Sequence, residues 1–278
     1  MRTFITTEQL AADLDQGKKT TMIAVFWGPG DGDGYRKFVS EHIPTSVFCD
    51  PARALAGVPE LYLGRNPLPD HTRLQNWIQN WGVDESSNVV VYDEGRGLFA
   101  ARAWWTLRWA GLTNIRILDG GMAKWLAEER PYIGGPGNLF KFSGFEVRPG
   151  AVPVLTLEQM REFDGLLIDA REERRWAGRR ELLDLRAGHI PGAVNIPVRS
   201  LLHDDHTVRS MDEVREIFAG VGIVNPADAA AAATYSGSGN HSAQLLAVMA
   251  EAGLEGTAHY VGGWSQWTHH RLPVKSEV

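Results

Sequence analysis

The sequence predicts an α/β protein made of two tandem copies of one domain, each a parallel sheet flanked by helices. Three observations predict this class: an internal repeat, an alternation of strand-like and helix-like stretches within each copy, and a segment rich in glycine and proline between the copies. The length of 278 residues also favours two domains, since one domain takes about 150 residues.

The internal repeat consists of short matches that recur in the same order. The segment 42–47 reads His-Ile-Pro-Thr-Ser-Val, and 189–194 reads His-Ile-Pro-Gly-Ala-Val. An Ala-Gly-Leu tripeptide, and after it a Gly-Gly pair followed by tryptophan, recur later in each copy. Because matches in this order are improbable by chance, we expect domains at 1–140 and 150–278.

The segment 131–153 fits a boundary between these domains. Glycine and proline recur along its whole length. Such a density of residues that interrupt regular structure does not belong inside a helix or a central strand. We therefore expect a linker here.

Strand-like and helix-like stretches alternate within the first copy. The β-branched run at 88–92 predicts a buried strand. A helical stretch at 98–109 and a second strand at 115–118 follow. Alternating β and α units imply a parallel sheet that is covered by helices on both faces.

The second copy repeats this order, with a strand that ends at Tyr235, a helix at about 242–252 and a strand at 259–261. One local conflict arises at 229–233, which is five alanines. Helix propensity assigns this run to a helix, whereas the repeat assigns it to the strand before Tyr235. We follow the repeat, because tertiary context often overrides propensity.

A single cysteine and a net charge of −6 exclude several classes of protein. One cysteine allows neither an internal disulfide framework nor a cysteine-clustered zinc or iron–sulfur site, and it fits a reducing compartment. Without a basic tract, the negative charge argues against nucleic acid as a partner. The sequence has no apolar run of about 18 residues and no apolar core of a signal peptide at its N-terminus. We therefore expect a cytoplasmic protein with no membrane partner, no metal and no cofactor.

The loop after Tyr235, residues 236–241, is the candidate binding site. Its residues, in order, are Ser236, Gly237, Ser238, Gly239, Asn240 and His241. Ligands of open α/β sheets bind at the carboxyl ends of the strands. A glycine-rich turn there can direct backbone N–H groups inward, and the helix that follows adds partial positive charge, so the loop predicts an anion cradle. A tight connecting turn without a ligand explains the glycines equally well.

Other loop motifs do not fit. The nucleophile elbow Gly-x-Ser-x-Gly fails because Ser236 and Asn240 flank Ser238. The loop lacks the lysine of a Walker phosphate loop and the third glycine of a dinucleotide-binding turn. The glycine cluster at 28–34 resembles the start of a calcium loop, but Tyr35 stands where a third ligand is needed. We expect an ordinary loop at that cluster.

Taken together, these residues resemble the rhodanese family of sulfurtransferases in its two-domain form, over nearly the whole chain. The most specific segments are Asp-Ala-Arg at 169–171, Arg-Ala-Gly-His-Ile-Pro-Gly-Ala-Val-Asn-Ile-Pro at 186–197, and Tyr-Val-Gly-Gly-Trp-Ser-Gln-Trp at 260–267. The resemblance implies an active second domain and a first copy that has lost its nucleophile. Asp93 at the matching place in the first copy agrees with this.

The resemblance also implies a cysteine at the first position of the loop, where this chain has Ser236. That cysteine would take sulfane sulfur from a small-molecule donor, hold it as a persulfide and pass it to a thiol or cyanide, with a thioredoxin-like protein as a further expected reductant. A serine hydroxyl cannot form a persulfide, so the chain as written is expected to be inactive. Two explanations stay open, an engineered substitution or a natural non-catalytic protein. We favour the first, because the rest of the loop and domain is intact.

The rest of the loop bears on the donor. Gly-Ser-Gly after the nucleophile resembles 3-mercaptopyruvate sulfurtransferases, whereas Arg-Lys-Gly resembles thiosulfate sulfurtransferases. The resemblance places Arg175 where the family has a substrate-binding arginine, and a guanidinium suits a carboxylate. Arg186 is a second candidate. A surface salt bridge is the alternative role for Arg175, which lies in a cluster of arginines.

Two departures from the family pattern concern proton transfer. Asn66 stands where many relatives have histidine, and Ala52 stands where animal mercaptopyruvate enzymes have an acidic residue. A serine-protease-like relay through those positions is therefore not expected. His241 is a candidate for proton transfer, and a solvent-facing loop residue is its alternative role.

Several conspicuous residues are expected to be structural. His42 and His189 occupy matched places in both copies, although only one copy has a plausible active loop. Asp169 and Arg171 are candidates for the same kind of role. Tryptophans 104, 105 and 109 fall at helical spacing and predict core positions. Cys49 aligns with an apolar strand-end position, which predicts a small buried residue.

Three function classes fit these residues to different degrees. The first is a sulfurtransferase that carries serine for cysteine. The second is a natural non-catalytic protein that uses the anion cradle for binding or regulation. The third is a phosphatase on the same fold, which needs a longer loop ending in arginine. No arginine follows Ser236 until Arg271, so we set the phosphatase aside.

Overall fold

The computed structural model describes residues 2–278 and divides into two compact units. Unit 1 comprises the described residues up to Gly57, Pro69–Ala151 and Asp204–Thr207. Unit 2 comprises Val58–Leu68, Val152–His203 and Val208–Val278. The short segment Val58–Leu68 therefore groups with the second copy, although its sequence belongs to the first.

Unit 1 is a five-stranded parallel sheet with helices, in strand order β1-β5-β4-β2-β3. Its elements in chain order are β1 Phe4–Ile5, α1 Thr7–Asp15, β2 Thr21–Val25, α2 Asp33–Ser40, β3 Val47–Cys49, α3 Pro51–Ala54, α4 His71–Asn80, β4 Val89–Tyr92, α5 Leu98–Trp109, β5 Ile115–Leu118 and α6 Gly121–Ala127. Every residue of the central strands β2 and β4 is buried, as expected for a sheet covered on both faces.

Unit 2 is a four-stranded parallel sheet in strand order β7-β6-β8-β9. Its elements are α7 Leu157–Glu162, β6 Leu167–Asp169, α8 Glu173–Trp176, β7 Val194–Asn195, the 3-10 turn η1 Val198–Leu201, α9 Met211–Ala219, α10 Pro226–Ala230, β8 Ala233–Tyr235, α11 Asn240–Glu251, β9 Ala258–Tyr260 and α12 Gly263–His269. The expected α/β class with parallel sheets is confirmed in both units.

The alanine run at 229–233 corrects one expectation. Residues 229 and 230 end helix α10, and only Ala233 lies in strand β8. The helix starts at an Asn225 N-cap, whose side chain accepts from two backbone N–H groups, with Pro226 at the first helical position. These local signals outweigh the repeat over the first two alanines, so assigning the whole run to the strand was wrong.

Matched histidines hold the same turn in both units. The Nδ1 atom of His42 lies 2.7 Å from the Phe38 carbonyl oxygen, and that of His189 lies 2.8 Å from the Trp176 carbonyl oxygen. Each histidine ring also stacks on the ring of that same partner. Both histidines are buried, in agreement with a structural role.

The residues expected in the core are buried. The three tryptophans of α5 and Cys49 on β3 all lie inside unit 1. Burial raises the pKa of the Cys49 thiol well above its usual value, which keeps this thiol protonated and unreactive. None of the helices formed by residues 2–278 combines the length and apolar character that crossing a bilayer requires.

The second glycine of the repeated pair fixes the distance between a helix and a loop. Gly263, at the start of α12, has φ +57°, and a Cβ added there would lie 2.3 Å from the carbonyl oxygen of Ser236. Its counterpart Gly121 has φ +56°, and a Cβ there would lie 2.7 Å from the carbonyl oxygen of Asp93. Both positions therefore require glycine for close approach as well as for backbone conformation.

We predict that Gly263→Ala lowers the free energy of unfolding by at least about 3 kcal/mol, because steric overlap adds to the cost of positive φ. Gly253→Ala is the matched control. Gly253 has φ +78° and nothing within 4 Å of an added Cβ, so it should lose only about 1 kcal/mol. Denaturant unfolding measures both values. Equal losses would show that the approach of α12 to the loop is not a constraint.

Candidate active site

The loop after β8 starts with a buried serine. Ser236 has no exposed surface, and Gly239, the N-cap of helix α11, has φ +86°. The loop lies at the carboxyl end of β8, an inner strand of its sheet, which is where ligands of such sheets bind.

Backbone N–H groups of helix α12 donate to the carbonyl oxygens of the loop. The N–H of Trp264 donates to the carbonyl oxygen of Ser236 at 2.8 Å, and the N–H of Ser265 donates to that of Gly237 at 3.0 Å. On its other side, the loop presents the N–H of Gly239, which donates to Ser236 Oγ at 3.1 Å. The loop thus directs carbonyls toward α12 and an amide toward the side chain of its first residue.

The first copy shows the same arrangement with an anion in place. The loop after β4 starts at Asp93, whose carbonyl oxygen accepts from the N–H of Met122 in α6 at 2.8 Å. The Asp93 carboxylate is buried and accepts four backbone N–H groups, at distances of 2.9 to 3.3 Å, from Gly95, Gly97, Phe99 and Ala100. Burial raises the pKa of Asp93, and the four donors act in the opposite direction. This loop is an amide cradle filled by its own carboxylate.

Two arginines face the loop of the second copy. A Cβ added at Gly237 would lie 3.1 Å from the Arg65 guanidinium and 3.3 Å from that of Arg175. Arg175 lies on α8, whereas Arg65 comes from the segment Val58–Leu68. Burial, and then the charge of Arg175, lower the pKa of Arg65 from its usual value. The structure therefore brings the predicted Arg175 to the loop together with a second cation.

Two nearly inaccessible carboxylates balance these cations. Asp184 forms ion pairs with both Arg65 and Arg175, the latter at 3.1 Å. Glu181 pairs with Arg175 at 2.8 Å. The side chains of Asp184 and Glu181 are only 3% and 4% exposed. A substrate anion at Gly237 would thus meet guanidinium groups that already share carboxylate partners.

A further ion pair lies deeper in the same cluster. Arg171 and Asp169 have fully buried side chains and pair at 2.6 Å, and Arg171 lies 3.7 Å from Glu181. The Arg171 guanidinium also donates to the carbonyl oxygen of Gly188 and lies over the ring of Trp264. These contacts agree with the structural role expected for Asp169 and Arg171. Three guanidinium groups and three carboxylates thus form one connected set of ion pairs.

The Arg186 side chain bonds a different segment of the chain. It is exposed, and its guanidinium donates to the carbonyl oxygen of Leu272 at 2.9 Å. Arg175 rather than Arg186 therefore faces the loop.

The remaining loop residues are partly buried. Ser238 accepts from the side-chain amide of Asn66 at 2.9 Å, so Asn66 holds the loop. Asn240 and His241 open helix α11. Burial, and then the charge of Arg175, lower the pKa of His241 to about 4. His241 is therefore neutral at neutral pH and adds no positive charge to the site.

A hydrogen-bonded chain of side chains leads away from Ser236. Its Oγ lies 3.1 Å from the Oγ of Ser242, which in turn lies 2.7 Å from Nε2 of His259. All three residues are buried.

Sequence reasoning missed Arg65, Ser242 and His259. Polar residues inside the apolar runs of α11 and β9 are the signal that would have indicated Ser242 and His259. No sequence signal indicated Arg65, because its position depends on the grouping of Val58–Leu68 with unit 2. Within residues 2–278, no cluster of histidine, cysteine, aspartate and glutamate could hold a metal ion.

The chain matches a family model and individual proteins of known sequence. The family model for the rhodanese-like domain matches residues 28–128 and 154–270. A probable 3-mercaptopyruvate sulfurtransferase of Pseudomonas aeruginosa is 35% identical over 277 residues, covering 97% of this chain and 96% of that protein. A putative thiosulfate sulfurtransferase of Mycobacterium tuberculosis, SseB, is 32% identical and covers 95% and 93%.

Solved structures agree in fold. The 3-mercaptopyruvate sulfurtransferase SseA of Escherichia coli superposes with a TM-score of 0.78 at 27% identity, covering 95% of this chain and 99% of that one. The 3-mercaptopyruvate sulfurtransferase of Leishmania major has a TM-score of 0.84 at 22% identity, covering 96% and 74%. At 22% identity, the similarity to the Leishmania major structure shows the fold alone.

We predict that Asp93→Ala lowers the free energy of unfolding by about 3 kcal/mol, because four buried N–H groups lose their acceptor. Sulfate should then raise the melting temperature of this variant more than that of the parent, since a small anion can fill the cradle. Sodium chloride at equal ionic strength is the salt control, and the parent controls for the general stabilisation by sulfate. A variant as stable as the parent, with the same sulfate response, would contradict an anion cradle.

Proposed function

The chain belongs to the rhodanese family, and we propose that its second domain, with cysteine at position 236, moves sulfane sulfur from a small-molecule donor to a thiol or cyanide through a persulfide on that cysteine. As written, Ser236 occupies that position, so we propose that this chain is an inactive form of the enzyme. The observation that carries the proposal is the amide cradle, which the first copy fills with the carboxylate of Asp93.

The geometry of an aspartate indicates what the cradle can hold. A carboxylate oxygen of Asp93 is separated from its Cβ by two bonds. The outer sulfur of a cysteine persulfide is also separated from Cβ by two bonds, and at neutral pH it too carries negative charge. The amides that bind Asp93 in the first loop would therefore suit a persulfide in the second, where α12 holds the loop in the same way.

Transfer proceeds through two displacements at sulfur. A cysteine thiolate at position 236 would attack the sulfur of the donor, forming the Sγ–S bond as the bond from that sulfur to the donor breaks, with its electron pair leaving on the donor. An acceptor thiolate would then attack the outer sulfur, and the electron pair of the Sγ–S bond would return to the cysteine. Serine fails at the first step, because its hydroxyl has a far higher pKa than a thiol.

We propose that Arg65 and Arg175 bind the charged part of the donor, next to Gly237. A planar guanidinium suits a carboxylate, which 3-mercaptopyruvate carries. Asp184 and Glu181 already offset most of the positive charge at the site. A cluster with balanced charge favours a monoanion over a dianion such as thiosulfate, so we propose 3-mercaptopyruvate as the preferred donor.

The loop residues Gly237, Ser238, Gly239, Asn240 and His241 line the proposed donor site. A thiol such as that of a thioredoxin-like protein is the proposed acceptor, and the cytoplasm is the proposed compartment because it keeps thiols reduced. A natural non-catalytic protein that binds anions in the cradle is the second candidate, and Ser236 itself is the observation that favours it.

We predict that Ser236→Cys gains sulfur transfer from 3-mercaptopyruvate to cyanide, measured as thiocyanate, by at least about 10³-fold over the parent chain. The parent is the matched control, since it keeps Cys49 and lacks only the cysteine at position 236. A folded but inactive Ser236→Cys protein would overturn the enzyme proposal in favour of the non-catalytic one. A higher kcat/KM with thiosulfate than with 3-mercaptopyruvate would overturn the donor assignment.

We predict that Asp184→Asn in the Ser236→Cys protein shifts donor preference toward thiosulfate by about tenfold in the ratio of kcat/KM values, because it adds one net positive charge beside Gly237. Glu173→Gln makes the same charge change at a side chain that is 52% exposed and paired with Arg179. Solvent screens that pair, so the control should leave the ratio unchanged. Equal ratios in both variants would contradict a role for Asp184 in donor choice.

A further inference from the structure

A hydrogen-bonded chain of side chains behind position 236 has no role in the donor binding proposed above. It joins Ser236 to Ser242 at 3.1 Å and Ser242 to Nε2 of His259 at 2.7 Å. Ser242 lies in the first turn of α11, and His259 lies on β9 in register with Thr234 of β8. The chain therefore connects the loop to the interior of the sheet.

Burial makes the hydrogen bonds of this chain costly to lose. Ser236, Ser242 and His259 have no exposed surface. Burying a hydroxyl or an imidazole is costly unless it is hydrogen-bonded, so each group depends on its neighbours in the chain. Such a chain can also pass a proton, since each hydroxyl is both a donor and an acceptor.

We propose that Ser242 and His259 form a proton relay for the residue at position 236. The inference rests on the proposed function, in which that residue is a cysteine. The thiol proton would pass to Ser242 Oγ as the proton of Ser242 passes to Nε2 of His259, which leaves a thiolate and an imidazolium. No net charge is created, and the opposite charges of the thiolate and imidazolium offset part of the cost of burying each.

The proton count of the reaction fits this relay. When the thiolate takes sulfur from 3-mercaptopyruvate, the bond from that sulfur to carbon breaks and its electron pair stays on the carbon of the pyruvate enolate. That carbon must gain one proton to become pyruvate. The proton removed from the cysteine thiol equals in number the one that the carbon gains, so the step from thiol and 3-mercaptopyruvate to protonated persulfide and pyruvate conserves protons.

The variants that test the relay leave the other ionisable groups on the surrounding elements in place. These groups are Asp169 on β6, Tyr235 on β8, Tyr260 on β9, His241 and Glu251 on α11, and Arg199 in η1. Arg65, Arg171 and Arg175 near the loop are likewise unchanged. A difference between variants that leave all these groups in place therefore reports on Ser242 and His259.

The test measures the pKa of the thiol that Ser236→Cys introduces into the full-length protein. The rate of iodoacetamide modification at residue 236 is followed against pH, with mass spectrometry of the peptide to separate it from Cys49. We expect Ser242→Ala and His259→Gln each to raise this pKa by about one unit, which is about tenfold less thiolate at lower pH. The double variant should shift the pKa no further than either single variant, because both residues serve one relay.

Controls separate the relay from a general loss of packing. Ser242→Thr keeps the hydroxyl and should restore the pKa. Thr234→Val removes a buried hydroxyl beside His259 that bonds the carbonyl oxygen of Ile168 instead, and it should leave the pKa unchanged. An unchanged pKa in Ser242→Ala or in His259→Gln would overturn the relay, and so would an equal shift in Thr234→Val. Modification by iodoacetamide does not require sulfur transfer, so failure of the relay and failure of the proposed function are distinguishable.

Discussion

Two hydrogen bonds from the first turn of α12 to the loop after β8 fix the direction of the polar groups at the site. They occupy the carbonyl oxygens of Ser236 and Gly237. The close approach that they need leaves no room for a Cβ at Gly263. With its carbonyls directed away, the loop can present amides to the side chain of its first residue. The first copy repeats this arrangement at Asp93, where the amides hold a carboxylate.

In the proposed function, the amide cradle and the arginine cluster bind different negative charges. The amides suit the negative charge on residue 236, and Arg65 and Arg175 suit the charge on a donor beside Gly237. Asp184 and Glu181 hold these guanidinium groups in place and limit the net charge. We therefore propose that the site favours a monoanion over a dianion, because the guanidinium groups already have carboxylate partners.

The sequence predicted the features that short local patterns determine. The repeat located the parallel sheets, and it matched Asp93 to Ser236 at the start of equivalent loops. It failed at alanines 229 and 230, where the Asn225 cap starts a helix. Arg65 could not be predicted, because it reaches the loop through tertiary grouping of Val58–Leu68 rather than through a motif. The path from Ser236 to His259 crosses from a loop to a helix to a strand, and spacing along the chain does not reveal it.

The most direct test of the cradle as a sulfur site is mass spectrometry of Ser236→Cys after exposure to 3-mercaptopyruvate without an acceptor. We expect one additional sulfur atom on residue 236, lost again when a thiol is added. Cys49 should stay unmodified, because its pKa is raised and it lies on strand β3 rather than in the loop after β8. An unmodified residue 236 in a folded protein, or sulfur found on Cys49 alone, would show that the cradle does not hold a persulfide.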